Sequence, residues 1–158
     1  MIKIIIPGEP VAQGRPRFGN GKAYDPAKSK AYKNMVSLSG RAQMGGKEPV
    51  DGALAVSICI FRSIPKSFTK AKRAAALSGK LRPTTRPDMS NYIKGIEDAL
   101  NGIVWKDDSC VVGYCEPFGK WYSDDPRAEV VVKKIGCCGQ RFMDAPNKQK
   151  GEGINDNN

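Results

Sequence analysis

The sequence contains no histidine at all. This absence excludes every site that depends on imidazole, including Ser-His-Asp triads and histidine-ligated zinc. Any catalysis by this chain must therefore use carboxylates, lysine or bound water.

Cysteine is sparse, and no two of the five residues have the Cys-x-x-Cys spacing of a zinc ribbon. That spacing is the usual sign of such a site, so none is expected. The odd number of cysteines, without a signal-peptide pattern, predicts a reducing cytoplasmic location. Long apolar runs are missing too, because Pro7 ends the opening run Ile2–Ile6. No contact with a membrane is expected.

Basic residues are abundant. The 158 residues include 26 Lys and Arg against 16 Asp and Glu, a formal net charge of +10. A chain of this length predicts one domain. The excess positive charge favours a polyanionic partner, with nucleic acid first. A charge that serves only solubility is the alternative that composition leaves open.

Hydrophobic periodicity predicts an α/β (α+β) fold, with a small mixed β-sheet covered by helices. We expect strands at 2–6, 54–61, 111–114 and 128–135, with the last two forming a hairpin through a connection at 119–126. Helices are expected from Pro26 to about Met44, from Ser67 or Thr69 to Ser78, and from Pro87 to Leu100. Residues 1–135 form the predicted domain, and the polar segment 136–158 is expected to be a disordered tail.

In the helix at 26–44, Ala31, Met35, Leu38 and Ala42 are expected to form the apolar face that covers the sheet. In the helix after Pro87, a helical wheel places Met89, Ile93, Ile96 and Leu100 toward the sheet. The same wheel predicts that Asp88, Asn91, Gly95 and Asp98 face outward, with Gly95 allowing something bulky to approach the backbone.

Basic side chains surround this last helix in the sequence. Arg15 and Arg17 stand in a Gly- and Pro-rich loop, and a dense basic run leads toward Asp88. Such groups suit phosphate contacts, although a solvated helix face is the ordinary meaning of a charge run. The predicted DNA-binding residues are Arg15, Arg17, Lys66, Lys70, Lys72, Arg73, Arg86 and Lys120.

Three carboxylates flank the same helix. Asp88 precedes it, and Asp107 and Asp108 follow it. Singly, Asp88 suits an N-cap or a surface charge as well as a metal ligand, and Asp107–Asp108 suits a polar turn. Together, in a basic chain without histidine, they favour Mg²⁺ bound by few carboxylates and by substrate phosphate oxygens. Lys94 lies beside this face and could stabilise charge on phosphorus.

The block from Arg86 to Gly102 followed by Trp105-Lys-Asp-Asp resembles the signature of the RusA family of Holliday-junction resolvases, found largely in phages and prophages. The motifs Pro7-Gly-Glu-Pro, Gly14-Arg-Pro-Arg-Phe and Pro65-Lys-Ser-Phe fit the family in the same order. The resemblance implies a small homodimer that cuts four-way DNA junctions symmetrically with Mg²⁺ or Mn²⁺. Carried over by position, it implies catalytic roles for Asp88, Asp108 and Lys94, metal binding by Asp88, Asp108 and the adjacent Asp107, and an auxiliary role for Asn91. Ser90 and Asp98 are further auxiliary candidates from their positions in this sequence.

The chain departs from the family pattern at Ser90, where the better-known motif is Asp-x-Asp-Asn. A serine offers a neutral oxygen in place of a carboxylate, so metal affinity should be weaker or the ligand role should pass to Asp98, Asp107 or water. Three functions remain open: a junction-cutting nuclease, a branched-DNA-binding protein without cleavage, and a basic protein-interaction domain.

Overall fold

A computed structural model of the chain describes residues 1–15, 17–19 and 22–136. At 17–19 and 22–24 it describes the backbone alone. The elements are β1 (Ile2–Pro7), β2 (Arg17–Gly19), β3 (Lys22–Tyr24), α1 (Ala27–Met44), β4 (Leu54–Ser63), α2 (Lys70–Leu77), α3 (Met89–Leu100), β5 (Val111–Tyr114), β6 (Gly119–Ser123) and β7 (Arg127–Lys134). Apart from Gly136, the predicted tail lies outside these residues.

Strand β4 is the centre of a mixed five-stranded sheet. One edge of β4 pairs with β7 in antiparallel register, and β7 pairs in turn with β1. The other edge of β4 pairs in parallel with β5 near its start and with β6 near its end. Every residue from Leu54 to Ile60 is buried, as a continuous apolar run predicts for a strand covered on both faces. The central strand and the α+β class are confirmed.

Helices α1 and α3 cover one face of this sheet and share its hydrophobic core. Ile4 and Ile6 from β1 join Val130 and Val132 from β7 in one cluster with Tyr92 and other apolar residues of the helices. Trp105, which follows α3, is fully buried in the same cluster. The core therefore holds α3 and the segment after it against β4.

The predicted hairpin of residues 111–114 with 128–135 is wrong. Strand β7 lies between β1 and β4, and the segment predicted as a connection contains β6. In β7, Ala128, Val130 and Val132 are buried on the helix side, so the strand is stabilised by neighbours on both edges. Gly119 and Pro126 suggested a turn, but the aromatic residues Trp121 and Tyr122 between them favour a strand.

The buried face of α1 also differs from the prediction. Its buried residues are Ser29, Tyr32, Val36, Gly40 and Met44, while Leu38 is 67% exposed. Gly40 explains the rotation, because a Cβ there would lie 2.7 Å from Leu100 Cδ2. The close approach of the two helices requires the smallest residue at the crossing. Counting apolar residues cannot detect this requirement.

No helix among the described residues is long and apolar enough to cross a membrane.

Replacing Gly40 with Ala should destabilise the protein although it improves helix propensity. The propensity gain is about 1 kcal/mol, whereas overpacking a core typically costs about 1–3 kcal/mol. We expect a net loss of about 1 kcal/mol in the free energy of unfolding, measured by urea denaturation. Asn34→Ala, on the exposed side of α1, is the control and should gain stability. A Gly40→Ala protein as stable as the wild type would contradict the packing described here.

Candidate metal and nucleic-acid site

Asp88 occupies the N-cap position of α3, but its side chain makes no capping hydrogen bond. Its backbone is extended, and its carbonyl accepts a hydrogen bond of 3.2 Å from the Asn91 amide. Asp88 is exposed. The Asp88 side chain therefore does not cap the helix, which was one of the three interpretations of this residue. The carboxylate is available to a ligand at the positive end of the helix dipole.

The loop before Asp88 is held by side chains from the sheet. Lys120 Nζ donates to the carbonyls of Thr85 and Pro87 at 3.2 and 3.0 Å. Arg62 Nη1 donates to the Arg86 carbonyl at 3.2 Å and to Thr85 Oγ1 at 3.3 Å. Asp88 therefore follows a segment anchored to the ends of β4 and β6.

Ser90, Lys94 and Glu97, spaced by four and three residues, form a stripe along α3 in which Ser90 and Lys94 are exposed and Glu97 is half-buried. Asn91 and Asp98 are also exposed, as the helical wheel predicted. The predicted outward position of Gly95 is wrong, because Gly95 is buried. The backbone N–H of Gln13 donates a hydrogen bond of 2.9 Å to the backbone carbonyl of Asn91. A Cβ placed on Gly95 would lie 3.5 Å from the same Gln13 nitrogen. The chain's own loop is what approaches the helix backbone there.

Asp107 and Asp108 begin a short 3₁₀ turn after α3 and have different local roles. Asp107 accepts a hydrogen bond of 2.9 Å from the Ser109 amide, and hydrogen bonds from Ser109 lower the pKa of Asp107. Asp108 Oδ1 accepts a hydrogen bond of 3.0 Å from the indole nitrogen of Trp105. Because Trp105 is fully buried, it fixes the position of the Asp108 carboxylate. The second oxygen of Asp108 accepts no hydrogen bond from the residues that the structure describes.

Glu97 is an acidic residue of this region that sequence reasoning missed. Tyr114 donates a hydrogen bond of 2.7 Å to Glu97 Oε1. Burial raises the pKa of Glu97, the hydrogen bond from Tyr114 opposes the shift, and the charges of Asp108 and Asp98 add to it. Glu97 is three residues from Lys94, a spacing that places both on one side of a helix and could have identified Glu97 from the sequence. The helical wheel named Asp98 instead, which is also exposed.

Asp98 is engaged elsewhere. Lys33 of α1 forms ion pairs with Asp98 at 3.0 Å and with Asp25 at 3.1 Å. Burial opposes the charge of Lys33, but the two carboxylates outweigh it and raise the pKa of the lysine. Asp98 thus links α3 to α1, and its proposed auxiliary role would compete with this pair.

The structure brings Asp108 near Glu97 but leaves Asp88 at the opposite end of α3. Twelve residues of helix separate the two ends, about 18 Å along the axis at 1.5 Å per residue. Among the described residues, no three His, Cys, Asp or Glu side chains form a ready-made metal cage. The free oxygens of Asp88 and Asp108 are hard ligands. They fit a sparsely coordinated Mg²⁺ completed by water and phosphate, and they do not fit a fully protein-ligated ion.

The predicted DNA-binding residues fall into two groups. Arg15, Lys66, Lys70, Lys72 and Arg86 are exposed, and the side chain of Arg17 lies outside the described atoms. Arg73 and Lys120 already have protein partners. Arg73 forms an ion pair with Asp124, and Lys120 binds the loop before Asp88. Thr69 caps α2 by accepting a hydrogen bond from the Lys72 amide, which confirms the predicted start of this basic helix.

Two comparisons relate this chain to known proteins. A family model described as Endodeoxyribonuclease RusA matches residues 7–133, which include both ends of α3. The chain is also 44% identical over 140 residues to the uncharacterized protein YqaN of Bacillus subtilis (strain 168). That match covers 85% of this chain and 96% of the relative.

Glu97→Gln should change how stability depends on pH. A carboxyl whose folded pKa is raised contributes stability at low pH and loses it as the pH rises through that pKa. The variant should therefore gain stability relative to wild type between pH 4 and pH 7, by less than about 1 kcal/mol for a half-buried group. Urea unfolding at both pH values measures this difference. Glu48→Gln, at an exposed position, is the control, and a difference that shrinks toward pH 7 would contradict the burial of Glu97.

Proposed function

Because the chain belongs to the RusA family of endodeoxyribonucleases, we propose that it is a metal-dependent endonuclease that resolves four-way DNA junctions by paired symmetric nicks. The observation that carries this proposal is the Asp88 carboxylate, which is exposed at a helix N-terminus and is not used for capping. A junction is the proposed substrate in DNA recombination and repair. Such work would take place in the cytoplasm of a bacterial or phage-infected cell.

In this proposal Asp88, at one end of α3, and Asp107 and Asp108, beyond the other end, would each be able to hold Mg²⁺ or Mn²⁺. The bound ion would polarise the scissile phosphate, lower the pKa of the attacking water and stabilise the leaving 3′ oxygen. Asp108 is oriented by the Trp105 indole, so one of its oxygens remains for binding. Lys94 is exposed on the same side of α3 and would stabilise negative charge on the phosphate in the transition state.

The exposed lysines of α2 and the segment before it support DNA binding. Lys66, Lys70 and Lys72 are separated from Asp88 by one loop and add positive charge on the approach to it. Contacts of this kind position the phosphate backbone without reading sequence. Two symmetric cuts also need two equivalent sites, which a two-fold homodimer would supply.

Ser90 favours a second candidate function, a branched-DNA-binding protein that does not cut. This residue lies on the exposed stripe with Lys94, where the better-known family motif has an aspartate. A neutral hydroxyl reduces the negative charge that attracts a divalent cation. Restoring the carboxylate is therefore the direct way to separate the two functions.

Cleavage of a labelled four-way junction, compared with a linear duplex, tests the proposal. We expect paired nicks on opposite strands of the junction with Mg²⁺ or Mn²⁺ and none with EDTA. Asp88→Asn and Asp108→Asn should abolish the nicks, whereas Asp51→Asn, at an exposed site paired with Lys106, should not. Ser90→Asp should lower the Mg²⁺ concentration for half-maximal cleavage by about tenfold or more, the scale of changes around metal ligands.

Tight junction binding without metal-dependent nicks, with nicking acquired by Ser90→Asp, would identify the binding protein instead. Equal weak binding of junction and duplex, without cleavage, would rule out both functions.

A further inference from the structure

The loop that leads into Asp88 lacks the support of ordinary secondary structure. Within the described part of the chain, residues 82–87 take part in no backbone-to-backbone hydrogen bond. Thr84, Thr85 and Arg86 are exposed. Backbone hydrogen bonds therefore do not fix the direction in which this loop leads into Asp88 and α3.

Two cationic side chains supply the missing support. Lys120 and Arg62 contact the carbonyls of three consecutive residues, Thr85, Arg86 and Pro87, at 3.0–3.2 Å. Their strands pair in parallel, with Ile60 opposite Lys120, so both cations reach the loop from neighbouring positions of the sheet. Hydrogen bonds from charged donors are stronger than neutral ones, and together they fix the backbone immediately before Asp88.

The cations are themselves held in place. Arg62 has a side chain only 22% exposed, and its Nε lies 4.0 Å from Glu9 Oε1. Glu9 also accepts a hydrogen bond of 3.0 Å from the Ser63 amide. On the other strand, the Lys120 carbonyl accepts a hydrogen bond of 2.6 Å from Arg82 Nε, and the Arg82 guanidinium lies 3.8 Å from the centre of the Trp121 ring. The contacts of Lys120 and Arg62 with the carbonyls of residues 85–87 form an anchor for this loop. Because Arg62 lies in β4 and Lys120 in β6, the anchor ties the loop to the sheet.

We propose that Lys120 and Arg62 are positioning residues that hold the 85–87 loop, so that Asp88 is presented for metal binding, and that Lys120 does not serve as a contact for DNA phosphate. This inference rests on the proposed nuclease function for the role of Asp88. It replaces the sequence-based assignment of Lys120 to DNA binding. The chemical reason is that two of the three ammonium donors are already used by loop carbonyls.

The test compares Lys120→Met, Lys120→Arg and Lys72→Met in the full-length protein. Methionine keeps much of the side-chain volume and removes all donors, and arginine restores the charge and the donors. Lys72 is the matched control, because it is an exposed lysine in the proposed DNA-contact segment. Two quantities are measured for each variant: junction affinity in EDTA over a range of salt concentrations, and Mn²⁺ binding to the protein–junction complex by electron paramagnetic resonance.

Lys120→Met should weaken Mn²⁺ binding by about tenfold, the effect of losing a hydrogen bond to a charged group, and should leave junction affinity in EDTA and its salt dependence unchanged. Lys120→Arg should recover most of the Mn²⁺ affinity. Lys72→Met should show the opposite pattern, with weaker junction binding, a salt slope lower by about one and unchanged Mn²⁺ affinity. Weaker junction binding with a lower salt slope and unchanged Mn²⁺ affinity in Lys120→Met would overturn the proposal.

Backbone ¹⁵N relaxation measured by NMR separates this inference from the nuclease proposal. Lys120→Met should lower the order parameters of the amides of residues 84–86 and 88 whether or not the wild type cuts junctions, because the anchor is a property of the folded chain. Unchanged order parameters in that loop would overturn the anchor itself. Lower order parameters in a protein that binds no metal and no junction would support the anchor and reject its proposed purpose.

Discussion

The packing of α3 into the core that it shares with α1 and the sheet is the constraint on which the rest of the arrangement depends. Its buried side, including Tyr92, Ile96 and Leu100, fixes the rotation of the helix and so decides which polar residues face outward. The same packing determines where both ends lie. Asp88 begins the helix, and Trp105 anchors Asp108 just beyond its end. A rigid helix therefore separates the carboxylates, so a ligand that contacts both must be as long as the helix, as a DNA backbone is and a single metal ion is not.

The basic residues around α3 fall into those with protein partners and those that remain exposed. Lys33 pairs with Asp98 to hold α1 against α3, and Lys120 and Arg62 are used by the loop before Asp88. The lysines of α2 remain exposed. A formal charge of +10 thus includes cations with quite different tasks. Only burial and hydrogen-bond partners distinguish them, because lysine carries the same charge in each role.

The sequence predicted features whose signals are local. The run Leu54–Ile60 identified the central strand, Thr69 marked the start of α2, and α3 was bounded by Pro87 and Asn101. It did not predict features that depend on neighbours in space. The face of α1 depends on the approach of Leu100 to Gly40, and the burial of Gly95 depends on a distant loop. Glu97 was missed for the same reason, because its burial and its hydrogen bond from Tyr114 depend on β5 and not on its position along α3.

The central claim of the proposed function is that Asp88 is a ligand of the divalent metal ion. Mn²⁺ titration of the protein–junction complex, followed by electron paramagnetic resonance, tests it with Asp88→Asn and with Asp51→Asn as the control. Asp88→Asn is predicted to weaken Mn²⁺ binding by about tenfold or more, whereas Asp51→Asn should bind Mn²⁺ as the wild type does. An Asp88→Asn variant with wild-type Mn²⁺ affinity would contradict the claim.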